Sequence, residues 1–358
     1  MIRSDFIMQL VPGPASSGVS TLNANNNLAF IRFQQRWYLV WRTAPTHFAS
    51  RDARLEIVAA EELEGPWRHE HTIALGADVR EPIFVDNGAE LHLFFMELGT
   101  HPLRFQPMRT HHVVLTDAGW TQRAPVPVNG FVPWTVRRLR DRWVLLGYRG
   151  AEDMYSLKAS EPVVEARWSD DLESWNDSED LHLGGTESDF VELETGQLIG
   201  VVRNEGPTRF GSDLMGGAEL TDLRFVPDPR KLDSPNLFVW GGEPWLFARR
   251  SLANNGNYAV APRWLPSVLA IRVNQFTWSA TKKRSALFRI DPTTLACVHQ
   301  HDLPSRGDTA FAAVHVLNDD ELLVADYSSP LDGPDRSWIW GQRHPTCINL
   351  FRVSRTGG

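Results

Sequence analysis

The sequence has little of what marks zinc-binding, nucleic-acid-binding or membrane proteins. Its 358 residues include two cysteines, Cys297 and Cys347, which are far apart and lack zinc-site spacing, so we expect buried, reduced thiols. Lysine and arginine form no run and the formal net charge is -8, which argues against nucleic-acid binding. The apolar stretch near the N-terminus is too short for a signal peptide or a membrane span, so we expect a cytoplasmic protein.

Motifs for metals, phosphates and serine nucleophiles are also missing. Neither a GxSxG sequence nor a glycine-rich phosphate loop occurs. The pairs His69/His71 and His299/His301 each share a strand face, but no carboxylate is spaced to complete a metal site. We therefore predict no metal centre and no cofactor.

Aromatic residues and short apolar runs are abundant instead. Fourteen Trp and 18 Phe stand against five Tyr, and 42% of residues are hydrophobic. Aromatic residues are enriched in strands, and convincing amphipathic helices are scarce. This composition favours a sheet-rich fold.

One hairpin pattern recurs along the chain: a short apolar strand, a turn, and a second apolar strand ending on a charged or aromatic residue. Each copy is followed by further strand-like sequence, which gives one four-stranded sheet per repeat and is typical of a β-propeller. The copies are Leu28–Arg42, Asp78–Glu97, Phe131–Arg149, Thr186–Gly206, Asp233–Arg250 and Gly307–Tyr327.

We therefore predict an all-β chain forming a single β-propeller of six blades. Five blades are the alternative, because the first and third copies are the least regular. Residues 1–22 would be a leader or closure segment and residues 23–358 the propeller, with blades starting near 28, 78, 131, 186, 233 and 307. Residues 251–284 form the longest interruption, which we interpret as a long loop serving as a lid or subsite wall.

In a propeller, the starts of the first strands and the ends of the second strands meet at one mouth. Glu187, Asp189 and Arg203 should lie on one rim there, although a solvated surface ion pair is the simpler alternative. Arginines converging on the mouth would suit a carboxylate, sulfate or phosphate, unless each merely pairs with a neighbouring acid. Carboxylates among them would permit general acid/base chemistry. Trp134 could stack on a sugar or belong to the core, and His47 could exchange protons with a substrate or simply be solvated.

Several stretches resemble the sialidase superfamily. TESDFVELETGQLIGVVRNEG resembles the stretch in which an acidic residue opens an inner strand, "vEL.dG" follows and an arginine closes the next strand. DVREPIFV, FQQRWYLVWRTAPTH and GDTAFAAVHVLNDDELLVADYSS resemble further blades of sialidase-like propellers. The resemblance covers nearly the whole chain and implies six blades and a sugar substrate.

The resemblance also implies roles for individual residues. Glu187 would polarise a tyrosine nucleophile, and Arg203 and Arg250 would bind a substrate carboxylate, with Arg42 or Arg80 completing the cluster. The family tyrosine position reads Phe311 here, so Tyr327 is the candidate to replace it.

A second resemblance points elsewhere. SDDLESW (169–175) is a degenerate Asp box, and together with GPW (65–67) it is also similar to five-bladed arabinanase- and fructosidase-like hydrolases, which use three carboxylates.

We interpret the chain as a carbohydrate-active enzyme, a glycoside hydrolase for an acidic or sulfated sugar. A non-catalytic propeller that binds glycan or protein, a five-bladed hydrolase and a polysaccharide lyase are the alternatives. The expected partner is a small carbohydrate or glycan, with no nucleic acid or membrane and an open oligomeric state. The catalytic candidates are Glu187, Asp308, Glu81 and Tyr327, and the substrate-binding candidates are Arg42, Arg80, Arg203, Arg250, Trp134, Asp189, His47 and Asn236.

Overall fold

The computed structural model describes residues 1–102, 104–152, 154, 160–206 and 209–355. Its strands form six four-stranded antiparallel sheets arranged as a ring, which confirms the six-bladed β-propeller. The five-bladed alternative is wrong.

Each blade uses four consecutive strands, except for the last, which takes one strand from the N-terminus. The strands are β1 (Ile2–Val11), β2 (Ala24–Phe33), β3 (Arg36–Ala44), β4 (Arg54–Ala60), β5 (Arg68–Ile73), β6 (Asp78–Asp86), β7 (Leu91–Leu98), β8 (Pro107–Thr116), β9 (Gly119–Gln122), β10 (Val132–Leu139), β11 (Arg142–Arg149), β12 (Val163–Ser169), β13 (Asp177–Leu183), β14 (Gly185–Glu192), β15 (Leu198–Asn204), β16 (Gly211–Gly217), β17 (Leu223–Asp228), β18 (Asp233–Trp240), β19 (Glu243–Ser251), β20 (Lys283–Ile290), β21 (Cys297–Asp302), β22 (Ala310–Val316), β23 (Glu321–Ser328) and β24 (Cys347–Arg355).

The N-terminal strand closes the ring. β1 pairs antiparallel with β24, with Ile2 opposite Arg355 and Val11 opposite Ile348, so the last blade has the order β1-β24-β23-β22. Backbone hydrogen bonds therefore join the two ends of the propeller, and the residues expected to be a leader or closure segment include a full blade strand.

The hydrophobic core lies between neighbouring blades. Trp41 and Leu39 of the first blade share one buried cluster with Leu350 of the last blade, and similar clusters separate the other blades. Cys297 and Cys347 are both buried and unpaired. In the part of the chain that the structure describes, no helix is long and apolar enough to cross a membrane.

Every inner strand has an irregular register near its start. Such bulges redirect a side chain, in this case toward the centre of the ring. Four of the bulge residues have positive φ although none is glycine: Asn27 (44°), Glu81 (54°), Ser234 (50°) and Phe311 (58°). We call the six central bulge residues the floor ring: Asn27, Glu81, Trp134, Glu187, Ser234 and Phe311.

Residues 251–284, predicted to be a long loop, contain a 3-10 turn (Ala253–Gly256) and helix α1 (Ser267–Ser279). The helix was missed because only a narrow face is buried, at Ile271, Asn274 and Trp278, while exposed apolar residues on the other side hide its period.

A second short helix, α2 (Trp338–Gly341), lies against this insertion. The backbone N–H of Trp338 donates to the Thr281 carbonyl at 3.0 Å. Arg284 pairs with both carboxylate oxygens of Asp335, at 3.1 and 2.8 Å. We call residues 252–282 and 335–342 together the roof.

Candidate active site

The mouth of the propeller holds a cavity of about 510 Å³. The floor ring, apart from Trp134, lines its base, and the roof contributes aromatic side chains such as Phe276, Trp278 and Trp338. A smaller cavity of about 270 Å³ continues into the central channel and shares Glu81, Ser234 and Phe311 with the mouth. These three floor-ring residues therefore border both cavities.

Glu187 and Arg203 form an ion pair at this floor. Glu187 Oε1 lies 2.8 Å from Arg203 Nη1, and its Oε2 accepts the Ser234 backbone N–H at 2.6 Å. Burial raises the pKa of Glu187, and the Arg203 guanidinium opposes that rise. The sequence correctly brought these two residues together.

Arg249, rather than the predicted Arg250, lies on the cavity. Arg250 instead pairs with Asp302, at 2.6 Å from Nε to Oδ1. Adjacent residues of a strand face opposite sides of the sheet. Arginines at the same distance from the start of the second strand in different blades can therefore face different sides, because bulges in the inner strands shift the register of pairing.

The Arg249 guanidinium is stacked between two roof indoles, 5.2 Å from the Trp278 ring centre and 4.6 Å from that of Trp338. Its contacts to Asp233 Oδ2 (3.3 Å) and the Thr309 carbonyl (3.4 Å) are long. Its buried Nε finds no hydrogen-bond partner among the described residues. Arg249 thus has only long polar contacts within the protein, while its guanidinium packs closely between two indole rings.

Two buried lysines also approach Trp278. Lys231 Nζ lies 4.3 Å and Lys283 Nζ 3.8 Å from its ring centre. Lys231 is paired with Glu205 and lines the cavity, whereas burial lowers the pKa of Lys283 to about 6. Three basic side chains therefore pack on Trp278, and Arg249 and Lys231 make cation–π contacts with it at neutral pH.

Glu81 is the second carboxyl residue of the floor ring. Its Oε2 accepts the Asn27 amide N–H at 3.0 Å. Burial raises the pKa of Glu81 to about 7, with the Glu187 charge adding to the rise and Arg80 opposing it. A carboxyl group of this kind can carry a proton at neutral pH.

On the opposite wall, Asp308 is fully buried and accepts two hydrogen bonds. His47 Nδ1 lies 2.8 Å from its Oδ2, and the Tyr327 hydroxyl donates to its Oδ1 at 3.3 Å. Burial raises the pKa of Tyr327 well above its usual value, and the Asp308 charge adds to this. The phenol therefore stays protonated, so Tyr327 is a hydrogen-bond donor here and is poorly suited to act as a nucleophile.

Arg42 and Arg80 share Asp78. Arg80 lines the cavity, with its Nε 2.9 Å from Asp78 Oδ2. Arg42 has no exposed side-chain surface and donates to Asp78, Asn26 and the Phe48 carbonyl. Arg42 thus lies behind the cavity wall, where it fixes the loop that carries His47.

The remaining predicted residues lie on the channel side of the floor. Asp189 lines the channel cavity and binds Arg137 at 3.1 and 2.7 Å; it is two residues along the strand from Glu187, too far below the rim to share it. The Trp134 indole N–H donates to the Pro235 carbonyl (3.0 Å), and the Asn236 amide donates to the Ala312 carbonyl (2.8 Å). These contacts join blades across the channel.

The described residues include no group of three or more His, Cys, Asp or Glu side chains that could hold a metal ion.

No protein-family model matches the sequence, and no curated protein matches it. Solved structures do match. Phage phi92 endosialidase is 11% identical with a TM-score of 0.62, covering 100% of this chain and 70% of that chain. Trypanosoma rangeli sialidase in complex with 2,3-difluorosialic acid is 11% identical with a TM-score of 0.59, covering 93% and 54%.

An alpha-L-arabinofuranosidase from Fusarium graminearum, in complex with an iminosugar inhibitor, is 10% identical with a TM-score of 0.59 and covers 91% of this chain and 92% of that chain. Likeness at these identities shows a shared fold. The chain has the six-bladed fold of sialidase-like β-propellers.

Proposed function

We propose that this protein is a glycoside hydrolase acting on an acidic sugar. The observation that carries the proposal is Glu81: a carboxyl group with a pKa of about 7 at the floor of a 510 Å³ cavity, beside the Glu187–Arg203 ion pair. Glycoside hydrolysis requires one carboxyl group that is protonated at working pH and another charged group near the anomeric carbon.

Glu81 is the general acid in this proposal. It donates its proton to the glycosidic oxygen as the bond from that oxygen to the anomeric carbon breaks, so the aglycone leaves as a neutral alcohol. The Glu187 carboxylate, held by Arg203 and the Ser234 N–H, stabilises the positive charge that develops on the sugar ring.

Arg249 is the group that binds the acidic substituent. Its polar contacts within the protein are 3.3 Å or longer and its Nε has no partner in the described chain, so a substrate carboxylate or sulfate would gain hydrogen bonds there. The flanking indoles exclude water, which strengthens such an ion pair. Phe276, 72% exposed at the cavity edge, offers an apolar surface to a sugar face.

The fold neighbours support the class of substrate. A sialidase, an endosialidase and an arabinofuranosidase share the propeller, and two of these structures hold sugar-like ligands. The acid, the ion pair and Arg249 are properties of this chain and carry the proposal beyond the shared fold.

The test uses Glu81→Gln, which keeps the size and hydrogen-bonding capacity of the side chain and removes its proton. Purified wild type and variant are assayed on fluorogenic uronosides, sialosides and sulfated hexosides, with neutral glycosides for comparison. Glu97→Gln is the matched control, because Glu97 pairs with His111 outside the cavity.

We expect the wild type to hydrolyse an acidic glycoside, Glu81→Gln to lose about 10²- to 10⁴-fold in kcat, and Glu97→Gln to match the wild type. Undiminished turnover by Glu81→Gln would remove Glu81 from the mechanism. Binding of acidic sugars without turnover by the wild type would instead favour a non-catalytic glycan-binding propeller.

A further inference from the structure

His47 and Asp308 form a hydrogen-bonded pair that the acid-catalysed step does not use. They come from blades that are adjacent in the closed ring, His47 from the loop after β3 and Asp308 from the residues before β22. The distance from His47 Nδ1 to Asp308 Oδ2 is 2.8 Å. The Asp308 side chain has no exposed surface, while that of His47 is 17% exposed and lines the cavity. One member is thus in the wall and the other reaches the substrate space.

The surroundings fix the position of His47 on both sides. Its backbone N–H donates to the Gln342 carbonyl of the roof (3.1 Å), and its own carbonyl accepts from Arg80 Nη2 (3.3 Å). Its ring meets Trp338 edge to face, with centres 6.3 Å apart. A side chain held in this way is pre-organised, as a catalytic group must be.

The Asp308 carboxylate also selects the tautomer of His47. Two groups approach Nδ1, Asp308 Oδ2 at 2.8 Å and Asn26 Nδ2 at 3.3 Å. An ionised carboxylate only accepts hydrogen bonds, so the shorter contact requires a proton on Nδ1. The Nε2 atom, on the far edge of the ring, then has a free lone pair. His47 lines the cavity, and its Nε2 has no hydrogen-bond partner among the described residues.

Burial lowers the pKa of His47, Asp308 opposes this, and the positive charges of Arg80 and Arg42 add to it. Tyr327, the other group bound to Asp308, stays neutral. The imidazole is therefore uncharged, and able to accept a proton, at neutral pH.

We propose that His47 is the general base that activates the hydrolytic water, with Asp308 as the residue that orients it. This inference rests on the proposed hydrolase function and names the second proton-transfer group of that reaction. A water molecule beside Nε2 gives its proton to His47 while its oxygen bonds to the anomeric carbon. The glycosidic bond breaks, and Glu81 protonates the departing oxygen.

The step balances: water is added across one bond, Glu81 loses a proton and His47 gains one, and exchange with solvent restores both. Because water attacks directly, without a covalent enzyme intermediate, the first sugar product has the inverted anomeric configuration.

The test variant is His47→Asn. The asparagine amide nitrogen can occupy the place of Nδ1 and keep the hydrogen bond to Asp308, whereas nothing replaces Nε2. His47→Ala leaves a space that added imidazole can enter. His69→Gln is the control, since His69 is 41% exposed on an outer strand and bonds to Glu56 and Thr72.

On a glycoside that the wild type hydrolyses, we expect His47→Asn to lose about 10²- to 10⁴-fold in kcat with little change in KM. Imidazole should restore part of the activity of His47→Ala in proportion to its free-base concentration, a response that a merely structural histidine would not give. Proton NMR of the fresh product should show the inverted anomer, and ¹⁵N NMR at pH 7 should show His47 protonated at Nδ1 and not at Nε2.

Three results would each overturn the inference while leaving the hydrolase intact: near-wild-type kcat in His47→Asn, retention of the anomeric configuration, or a proton on Nε2 of His47. If the wild type hydrolyses no acidic glycoside at all, the proposed hydrolase and the base both fall. The two failures are therefore distinguishable.

Discussion

Replacing Glu81 by Gln should stabilise the protein above neutral pH, which tests the environment of Glu81 without any substrate. Burial raises the pKa of this carboxyl group from 4.5 to about 7. Below pH 4.5 the group is protonated in both folded and unfolded protein and contributes nothing. As the pH rises from 4.5 to 7, the unfolded chain releases the proton while the folded protein keeps it, so folding becomes progressively less favourable.

The size of the effect follows from the shift. At about 1.4 kcal/mol per pKa unit, a rise of this extent corresponds to about 3 kcal/mol, an upper limit because Glu81 keeps some solvent contact. Glutamine resembles the protonated acid and can still accept the Asn27 N–H. We therefore expect equal stability of the two proteins at pH 4.5 and a gain of up to about 3 kcal/mol for Glu81→Gln at pH 8.

The measurement is urea unfolding of wild type and Glu81→Gln at intervals from pH 4.5 to 8, followed by tryptophan fluorescence. Glu97→Gln provides the control, since Glu97 does not line the cavity and pairs with His111. A stability difference that stays constant across this range, or that favours the wild type at pH 8, would show that Glu81 titrates normally. The general-acid role would then lose its physical basis.

Two further outcomes are expected. The buried side chains of His92 and His112 are in contact, with His92 Nδ1 2.9 Å from His112 Nε2, and burial lowers the pKa of His112 to about 3. As the pH falls from 6 to 4, the unfolded chain binds a proton at His112 that the folded protein does not, so the free energy of unfolding should fall by about 1.4 kcal/mol per pH unit. Urea unfolding of His112→Asn should show a shallower slope, and equal slopes would contradict this. Trp278→Leu removes the indole that stacks on Arg249, so KM for the acidic substrate should rise about tenfold, given about 0.5–2 kcal/mol for such contacts. Steady-state kinetics measure KM for both variants. Trp264→Leu is the control, because Trp264 is 80% exposed, and its KM should not rise. An equal KM in both variants would contradict the role of Trp278 in holding Arg249 for the substrate.

The repeat pattern was sufficient to predict the propeller, because the two strands and the turn of each hairpin can be recognised within one short stretch of sequence, and the hairpin recurs in every blade. It was also sufficient to bring Glu187 and Arg203 together, since both lie in one hairpin. Which side chains of a strand face the cavity was harder to predict. The choice between Arg249 and Arg250 depends on the bulge between Asp233 and Asn236, which no residue pattern in β19 reveals.

Contacts between distant segments were also beyond prediction. The roof joins residues near 278 to residues near 338, and its helix α1 has exposed apolar side chains at Val268, Leu269 and Phe276 that obscure the amphipathic period. A stretch with this composition resembles a loop or strand until its packing partner is known.

Phe311 connects the fold to the proposed reaction. It occupies the floor ring with a φ of 58°, and its ring centre lies 5.4 Å from that of Trp134 and 6.2 Å from that of Tyr327. A non-glycine residue in this conformation costs free energy, and the surrounding bulge of the blade holds Phe311 in it. That position carries a phenyl ring with no nucleophilic atom.

The Tyr327 hydroxyl donates a hydrogen bond to Asp308 and has a raised pKa, so it does not supply the missing nucleophile. In the mechanism that we propose, water is the nucleophile and the Glu187 carboxylate stabilises the charge on the sugar ring. Water needs a base, and His47 is the neutral imidazole that Asp308 holds at the cavity wall. The phenyl ring of Phe311 and the imidazole of His47 are thus consistent parts of one direct-displacement mechanism, and inversion at the anomeric carbon is the outcome that distinguishes it from double displacement.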